Sequence, residues 1–243
     1  MLTSSGPTDS AVTIALLYPS LLGTYGDRGN AQVLARRLEW RGIPARVLEV
    51  DLDDDIPEQC DIYLLGGGED GPGRTAAALL AKQPALPRAV DAGRPVLAVC
   101  AGMQLMGHHV GEAEGGYRGL GLLDVTTTIT APTRTIGELT IRPDGDWSDE
   151  LITGFENHRG STSIGPDAQP LGRVLHGVGN GAGAPVEGAC AGRIIATYMH
   201  GPVLARNPAL ADRLLSWAVG TELEPLPMAN IAALRRERLL AAR

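Results

Sequence analysis

The stretch "PVLAVCAGMQLMG" (Pro95–Gly107) decides the fold. A short apolar run stops at Cys100, and a helix-forming run begins at Ala101. A nucleophile at a strand-to-helix corner is exposed on a strained backbone and faces the unpaired N–H groups of a helix amino terminus. Their partial positive charge favours thiolate, the reactive form of cysteine, over thiol. The tight corner needs small neighbours, and Ala98 and Gly102 stand two residues to either side. The sequence A-V-C-A-G-M-Q is thus a relaxed G-x-C-x-G.

Similar runs surround it. "VTIALLYP" (12–19), "ARVLEV" (45–50), "DIYLLGGG" (61–68) and "RPVLAVC" (94–100) read as strands. Between them, 29–43 carries Val33, Leu34, Leu38 and Ile43 on roughly one helical face, and 74–92 is helix-prone but interrupted by Pro84 and Pro87. Strand and helix in alternation predict an α/β fold, a mostly parallel sheet with helices on both faces. From about residue 120 the pattern changes to short β runs with turn signals, which predicts a short antiparallel β extension. "GNGAGAPVEGACAG" (179–192) reads as a mobile Gly/Ala loop, "RIIATYMHG" as a return to strand, "NPALADRLLSWAVG" as a helix between an Asn–Pro start and Gly220, and 230–243 as a basic amphipathic edge helix. Residues 1–10 read as a frayed tail without the basic and apolar regions of a signal peptide, and 11–243 as one domain.

Composition narrows the function. The 243 residues are 44% hydrophobic, enough for a full core, and carry a net charge of −7, which argues against nucleic acid or anionic lipid as a bulk electrostatic partner. Three cysteines at scattered spacing form neither a disulfide framework nor a metal site, so no metal is expected and the setting reads as a reducing cytosol. Cys60 and Cys190 lack the corner of Cys100 and read as core residues.

A thiol nucleophile needs an oxyanion hole and a proton carrier. "YLLGGGED" (63–70) brings three glycines directly after a strand, so the N–H groups of Gly67 and Ala101 are the candidate oxyanion donors. "ATYMHGP" (196–202) places His200 at a late strand end, facing the corner across the sheet. His108, His109 and His176 are weaker candidates.

The order strand–GGG, strand–Cys–helix, late strand–His resembles the class I glutamine amidotransferases. "LLGTYGDRGN" (21–30), "LLGGGED" (64–70), "VLAVCAGMQLMG" (96–107), "TRTIGELTI" (133–141), "GFENHRG" (154–160) and "YMHGP" (198–202) make it similar, over nearly the whole chain, to the cobyric-acid-synthase-like branch. Within that branch the resemblance is to the GatD-type glutaminase subunits of lipid II isoglutaminyl synthases. It implies that Cys100 attacks the side-chain amide of L-glutamine, that His200 manages the protons, and that Arg134 binds the glutamine α-carboxylate. Glu69, Asp70 and Asn157 to Gly160 are wall residues without an assigned role. Ala98 stands where the family usually has glycine, and His200-Gly201-Pro202 lacks the acid that class I members carry two residues after the histidine. The expectation is therefore a dyad, its orienting carboxylate absent, drawn from elsewhere in the chain, or supplied by a partner. Weak glutaminase activity of the chain alone is the corollary.

The sequence contains no G-x-x-x-x-G-K-[ST] motif, so the resemblance places ATP and Mg on a partner, a MurT-like subunit of the Mur-ligase family, and no cofactor on this chain. That partner would receive ammonia and amidate the D-glutamate α-carboxyl of the lipid II stem peptide to D-isoglutamine, in a heterodimer in the cytoplasm at the inner face of the membrane. A cobyric-acid-type acceptor, a hydrolase or peptidase with the same corner, and a non-catalytic regulatory subunit are the alternatives.

Overall fold

A computed structural model describes residues 11–112, 115–129, 133–145, 150–181 and 183–241. The expected N-terminal tail, 1–10, lies outside the described residues.

The central sheet has six strands in the order Ala45–Val50, Val12–Leu17, Ile62–Leu65, Val96–Val99, Ile194–Thr197 and Ala189–Ala191. The first five are mutually parallel, and the last pairs antiparallel. Ile62–Leu65, Val96–Val99 and Ile194–Thr197 are buried at every position, so apolar side chains are covered on both faces, as a parallel sheet requires. The helix Gly29–Glu39 buries Ala31, Leu34 and Leu38. It stops earlier than the apolar pattern suggests, and Gly42 follows in the left-handed region at φ 71°. The prolines do divide the next helical stretch: Asp70–Leu80 and Ala85–Asp91 are separate helices, with Pro84 at the second amino terminus. The helix Pro208–Val219 ends at Gly220, φ 74°.

Chain order reverses on the two sides of Val12–Leu17, with Ala45–Val50 on one side and Ile62–Leu65 on the other. Loops leaving the carboxyl ends of strands at such a switch point diverge and open a crevice. The loop carrying Tyr25 and Asp27 and the Gly66–Gly68 loop meet there, bridged by Thr24 N–H to Gly67 O at 3.0 Å.

The antiparallel part is larger than the short extension expected. One five-stranded sheet runs Val186–Glu187, Gly172–His176, Thr135–Pro143, Ile152–His158 and Met199–His200. A four-stranded sheet joins Ser161–Ile164, Val125–Thr128, His109–Val110 and Tyr117–Arg118, with one parallel pair. The reason is visible in 179–192, read from sequence as a mobile loop: its glycines turn the chain, but its other residues pair. Asn180 is buried and exchanges hydrogen bonds with Gly188 N–H and C=O at 2.8 and 3.0 Å, and Val186–Glu187 and Ala189–Ala191 are strands of two different sheets. The central-sheet strand Ile194–Thr197 likewise runs on into Met199–His200, the edge of the five-stranded sheet. His200 therefore sits where two sheets join.

The terminal helix Ala229–Ala241 is tied to the body by Arg235, which donates to Arg206 O at 2.8 Å, to Asn207 Oδ1 at 3.0 Å and to Leu151 O.

Candidate active site

Cys100 holds φ 52°, ψ −105°, a conformation costly for a residue with a side chain. Its surroundings impose it. Cys100 N–H donates to Thr197 O at 2.7 Å, Gly102 N–H to Gly66 O at 3.1 Å, and Gln104 N–H to Cys100 O at 3.1 Å. The corner is thus pinned to both neighbouring strands and to its own helix, Ala101–Met106. Gly102 is required by closeness: a Cβ there would lie 2.7 Å from Leu65 O. Ala98 is fully buried in register with Leu65 and Ala196, so its methyl is accommodated in the sheet.

His200 is brought to this corner. Gly67 touches both residues: a Cβ built on it would lie 2.6 Å from His200 Cε1, 3.4 Å from Cys100 Cβ and 3.0 Å from Asp27 Oδ2. The imidazole is fully buried, and Nδ1 donates to Asp27 Oδ2 at 2.9 Å. That bond leaves Nε2 as the nitrogen for chemistry, and Nε2 is buried without a hydrogen-bond partner among the described residues. Burial lowers the His200 pKa, but the hydrogen bond to Asp27, then the Cys100 sulfur, outweigh it and push it up to about 10. The sulfur therefore acts on the ring electrostatically, although the Nε2 geometry falls short of a formed hydrogen bond. Tyr25, itself at φ 59°, lays its ring edge on His200 with centroids 4.9 Å apart.

Asp27 answers the question the sequence left open. The orienting carboxylate comes from elsewhere in this chain, out of the Y-G-D-R-G-N segment, and the geometry is that of a triad rather than a dyad. The Nδ1 position is thus filled by a carboxylate of this chain. The signal was in hand: Gly26 and Gly29 flank Asp27, but a carboxylate 173 residues from its histidine cannot be paired with it by spacing.

Gly67 needs a correction. Its N–H donates to Asp27 Oδ2 at 2.8 Å, so it holds the orienting carboxylate rather than standing ready for an oxyanion. Ala101, as the first residue of its helix, has an N–H without an intrahelical acceptor, the property an oxyanion donor needs.

Arg134, just before the strand Thr135–Pro143, is held by Asn157 and by Glu69, the residue that follows the Gly66–Gly68 loop. Nε donates to Asn157 Oδ1 at 2.6 Å, one Nη to Asn157 O at 3.0 Å, and the other Nη to Glu69 Oε2 at 3.2 Å. A second ion pair, Arg159 to Asp70, runs between the same two segments. Glu69 through Arg134 to Asn157, and Asp70 to Arg159, thus tie the end of the glycine loop and the start of the next helix to the strand Ile152–His158 and the residue after it. A guanidinium has five donors, so Arg134 keeps hydrogens on both terminal nitrogens for a carboxylate.

Cys60 and Cys190 behave as core groups. Burial raises both thiol pKa values, that of Cys190 to about 12. No group of metal ligands occurs among the described residues.

Residues 13–208 match the model of a CobB/CobQ-like glutamine amidotransferase domain. The chain belongs to the CobB/CobQ-like glutamine amidotransferase family. It is 38% identical over 211 residues to the lipid II isoglutaminyl synthase (glutamine-hydrolyzing) subunit GatD of Streptococcus pneumoniae, covering 86% of this chain and 80% of that one. To the subunit of the same name from Staphylococcus aureus it is 33% identical over 238 residues, 96% of each chain. A cobyric acid synthase of Sphingopyxis alaskensis is 37% identical over 131 residues, but these are 51% of this chain and 24% of that one. Among solved structures, a glutamine amidotransferase superposes with a TM-score of 0.57 at 18% identity, over 86% of this chain and 99% of that one, which is a likeness of fold. The likeness agrees with the α/β architecture that the sequence pattern predicts.

Proposed function

We propose that this chain is the glutamine-hydrolysing subunit of a lipid II isoglutaminyl synthase. The observation that carries the reading is the fixed line from Asp27 through His200 toward Cys100, with Nε2 left for the chemistry. The two relatives named for that activity are matched over most of their length, whereas the cobyric acid synthase is matched over a quarter of its own, which favours the lipid II acceptor.

Glutamine enters with its α-carboxylate on Arg134. Cys100 passes its thiol proton to His200 Nε2, Sγ attacks the side-chain amide carbon, and the negative charge gathering on the amide oxygen is met by the Ala101 N–H. His200 gives its Nε2 proton to the amide nitrogen, the C–N bond breaks, and ammonia leaves. A γ-glutamyl thioester remains on Cys100. Nε2, now free of that proton, takes one from water, which attacks the thioester; glutamate departs and the thiol is restored. Asp27 holds the ring in the tautomer and orientation that both halves need.

Ammonia passes to a MurT-like ligase subunit, where ATP and Mg activate the α-carboxyl of D-glutamate in the lipid II stem peptide. Among the described residues no helix is long and apolar enough to cross a membrane. The test is co-purification of the chain with its bound ligase, followed by mass spectrometry of lipid II after incubation with glutamine and ATP. Wild type should add amide to the stem peptide and Cys100→Ser should not. Glutamine hydrolysis without amidation of lipid II would move the acceptor elsewhere.

A further inference from the structure

Beneath the site lies a carboxyl group that the chemistry above does not use. Glu187 is fully buried. Its Oε1 accepts from Tyr198 N–H at 2.6 Å and from the Thr197 hydroxyl at 2.9 Å, while its Oε2 has no partner among the described residues. Leaving a buried carboxyl oxygen unpaired is costly, so a hairpin that kept Glu187 only for its own stability would be better served by an apolar residue.

The two groups it holds are shared with both reacting residues. Thr197 O is the acceptor that fixes the Cys100 N–H, and Thr197 Oγ1 accepts from Met199 N–H at 3.0 Å, next to His200. The Tyr198 hydroxyl shares a hydrogen bond with Thr162 Oγ1 at 2.7 Å and accepts from Gln104 Nε2 at 3.2 Å, in the helix that Cys100 begins. The turn from Thr197 to His200 thus hangs between one carboxyl group behind it and two reacting side chains in front of it. Asn180 locks the hairpin carrying Glu187 to Gly188 on both sides, so the carboxyl cannot drift with that turn.

We propose that Glu187 is a positioning residue of the glutaminase centre, its carboxyl setting the Thr197–Tyr198 backbone from which Cys100 and His200 take their separation. This rests on the glutaminase reading. Glu187 is fully buried and bonds to the Thr197 hydroxyl and the Tyr198 N–H, so the effect is expected on turnover and not on glutamine binding.

The experiment measures glutamine hydrolysis by the purified chain as wild type, E187A, E187Q and T197V, with reactive sites counted by labelling with the electrophile 6-diazo-5-oxonorleucine. E187A and T197V should each lose about 10- to 100-fold in kcat per labelled site, the scale of a small misplacement of reacting groups, with KM within about twofold. E187Q keeps the oxygen that accepts both bonds and should recover most of what E187A loses. T197V is nearly isosteric and decides the matter if E187A fails to fold. A folded E187A or T197V with kcat per site within about twofold of wild type overturns the proposal, as does a loss confined to KM or to the labelled fraction. Cys100→Ser separates the two layers: if it hydrolyses glutamine as wild type does, the glutaminase reading falls, whatever the Glu187 series shows.

Discussion

His200 and Asp27, 173 residues apart in the chain, share a hydrogen bond of 2.9 Å where neither side chain meets solvent. The same carboxylate oxygen takes the Gly67 N–H at 2.8 Å, so histidine, acid and glycine loop form one unit facing Cys100. Each part of the unit can be removed separately.

Asp27→Asn keeps the shape and removes the charge. It should lower kcat for glutamine hydrolysis by about 10²- to 10⁴-fold, the range seen when an orienting acid is neutralised. It should also let His200 titrate well below its native value of about 10, read by NMR of the ring. The sign for stability follows from a folded pKa raised above the ordinary 6.5: the contribution is complete below pH 6.5 and is lost as pH rises through about 10. The stability gap between wild type and Asp27→Asn should therefore be widest in mild acid and close toward pH 10 in denaturant titrations.

Gly67→Ala puts a methyl against His200 Cε1, Asp27 Oδ2 and Cys100 Cβ together. Activity should fall at least about 100-fold, because a shift of about 1 Å among reacting groups has that effect. Folding stability should drop by about 1–3 kcal/mol through overpacking. Thermal melting and glutaminase assays on one preparation check both.

Arg134→Ala should raise KM for glutamine by about 10- to 100-fold with a smaller change in kcat, since a charge-assisted pair to the substrate carboxylate is lost. Arg134→Lys should not restore it, because a lysine cannot reproduce the planar fork that also grips Asn157.

Burial, with Glu156 adding to it, raises the Glu187 pKa from 4.5 to about 7. The folded chain then binds more protons than the unfolded chain between these values, so this group's contribution to stability falls as pH rises from about 4.5 to about 7 and is flat above. Glu187→Gln should gain on wild type across that window by about 3 kcal/mol at most. Melting temperatures of both proteins at pH 5 and pH 8 test it.

Arg37 and Asp212 form a buried bidentate pair at 2.7 and 2.5 Å between the first helix and the Pro208–Val219 helix. Asp212→Ala leaves the guanidinium without its counter-charge and should cost about 3–5 kcal/mol. Urea titration of wild type and variant would show it as a lower midpoint at unchanged slope.

Local chemistry was readable from the chain. Cys100 announces itself because a thiol between a buried run and a helix start has one common use, and small residues must flank it. The parallel strands declare themselves by unbroken apolar runs, and Pro84 and Gly220 mark helix limits through their own backbone chemistry. What the sequence could not yield were pairings across space. Asp27 meets His200 because the loop after Val12–Leu17, the Gly66–Gly68 loop and the strand end Met199–His200 pack together. Glu187 looked like part of a slack Gly/Ala loop, because glycine content reports how freely a chain can turn and not what its neighbours pair with. The Gly67 N–H looked available until a carboxylate from another loop claimed it. Residue types and helix or strand periods are properties of a few adjacent amino acids, whereas the partner of a buried polar atom is fixed by how distant segments pack.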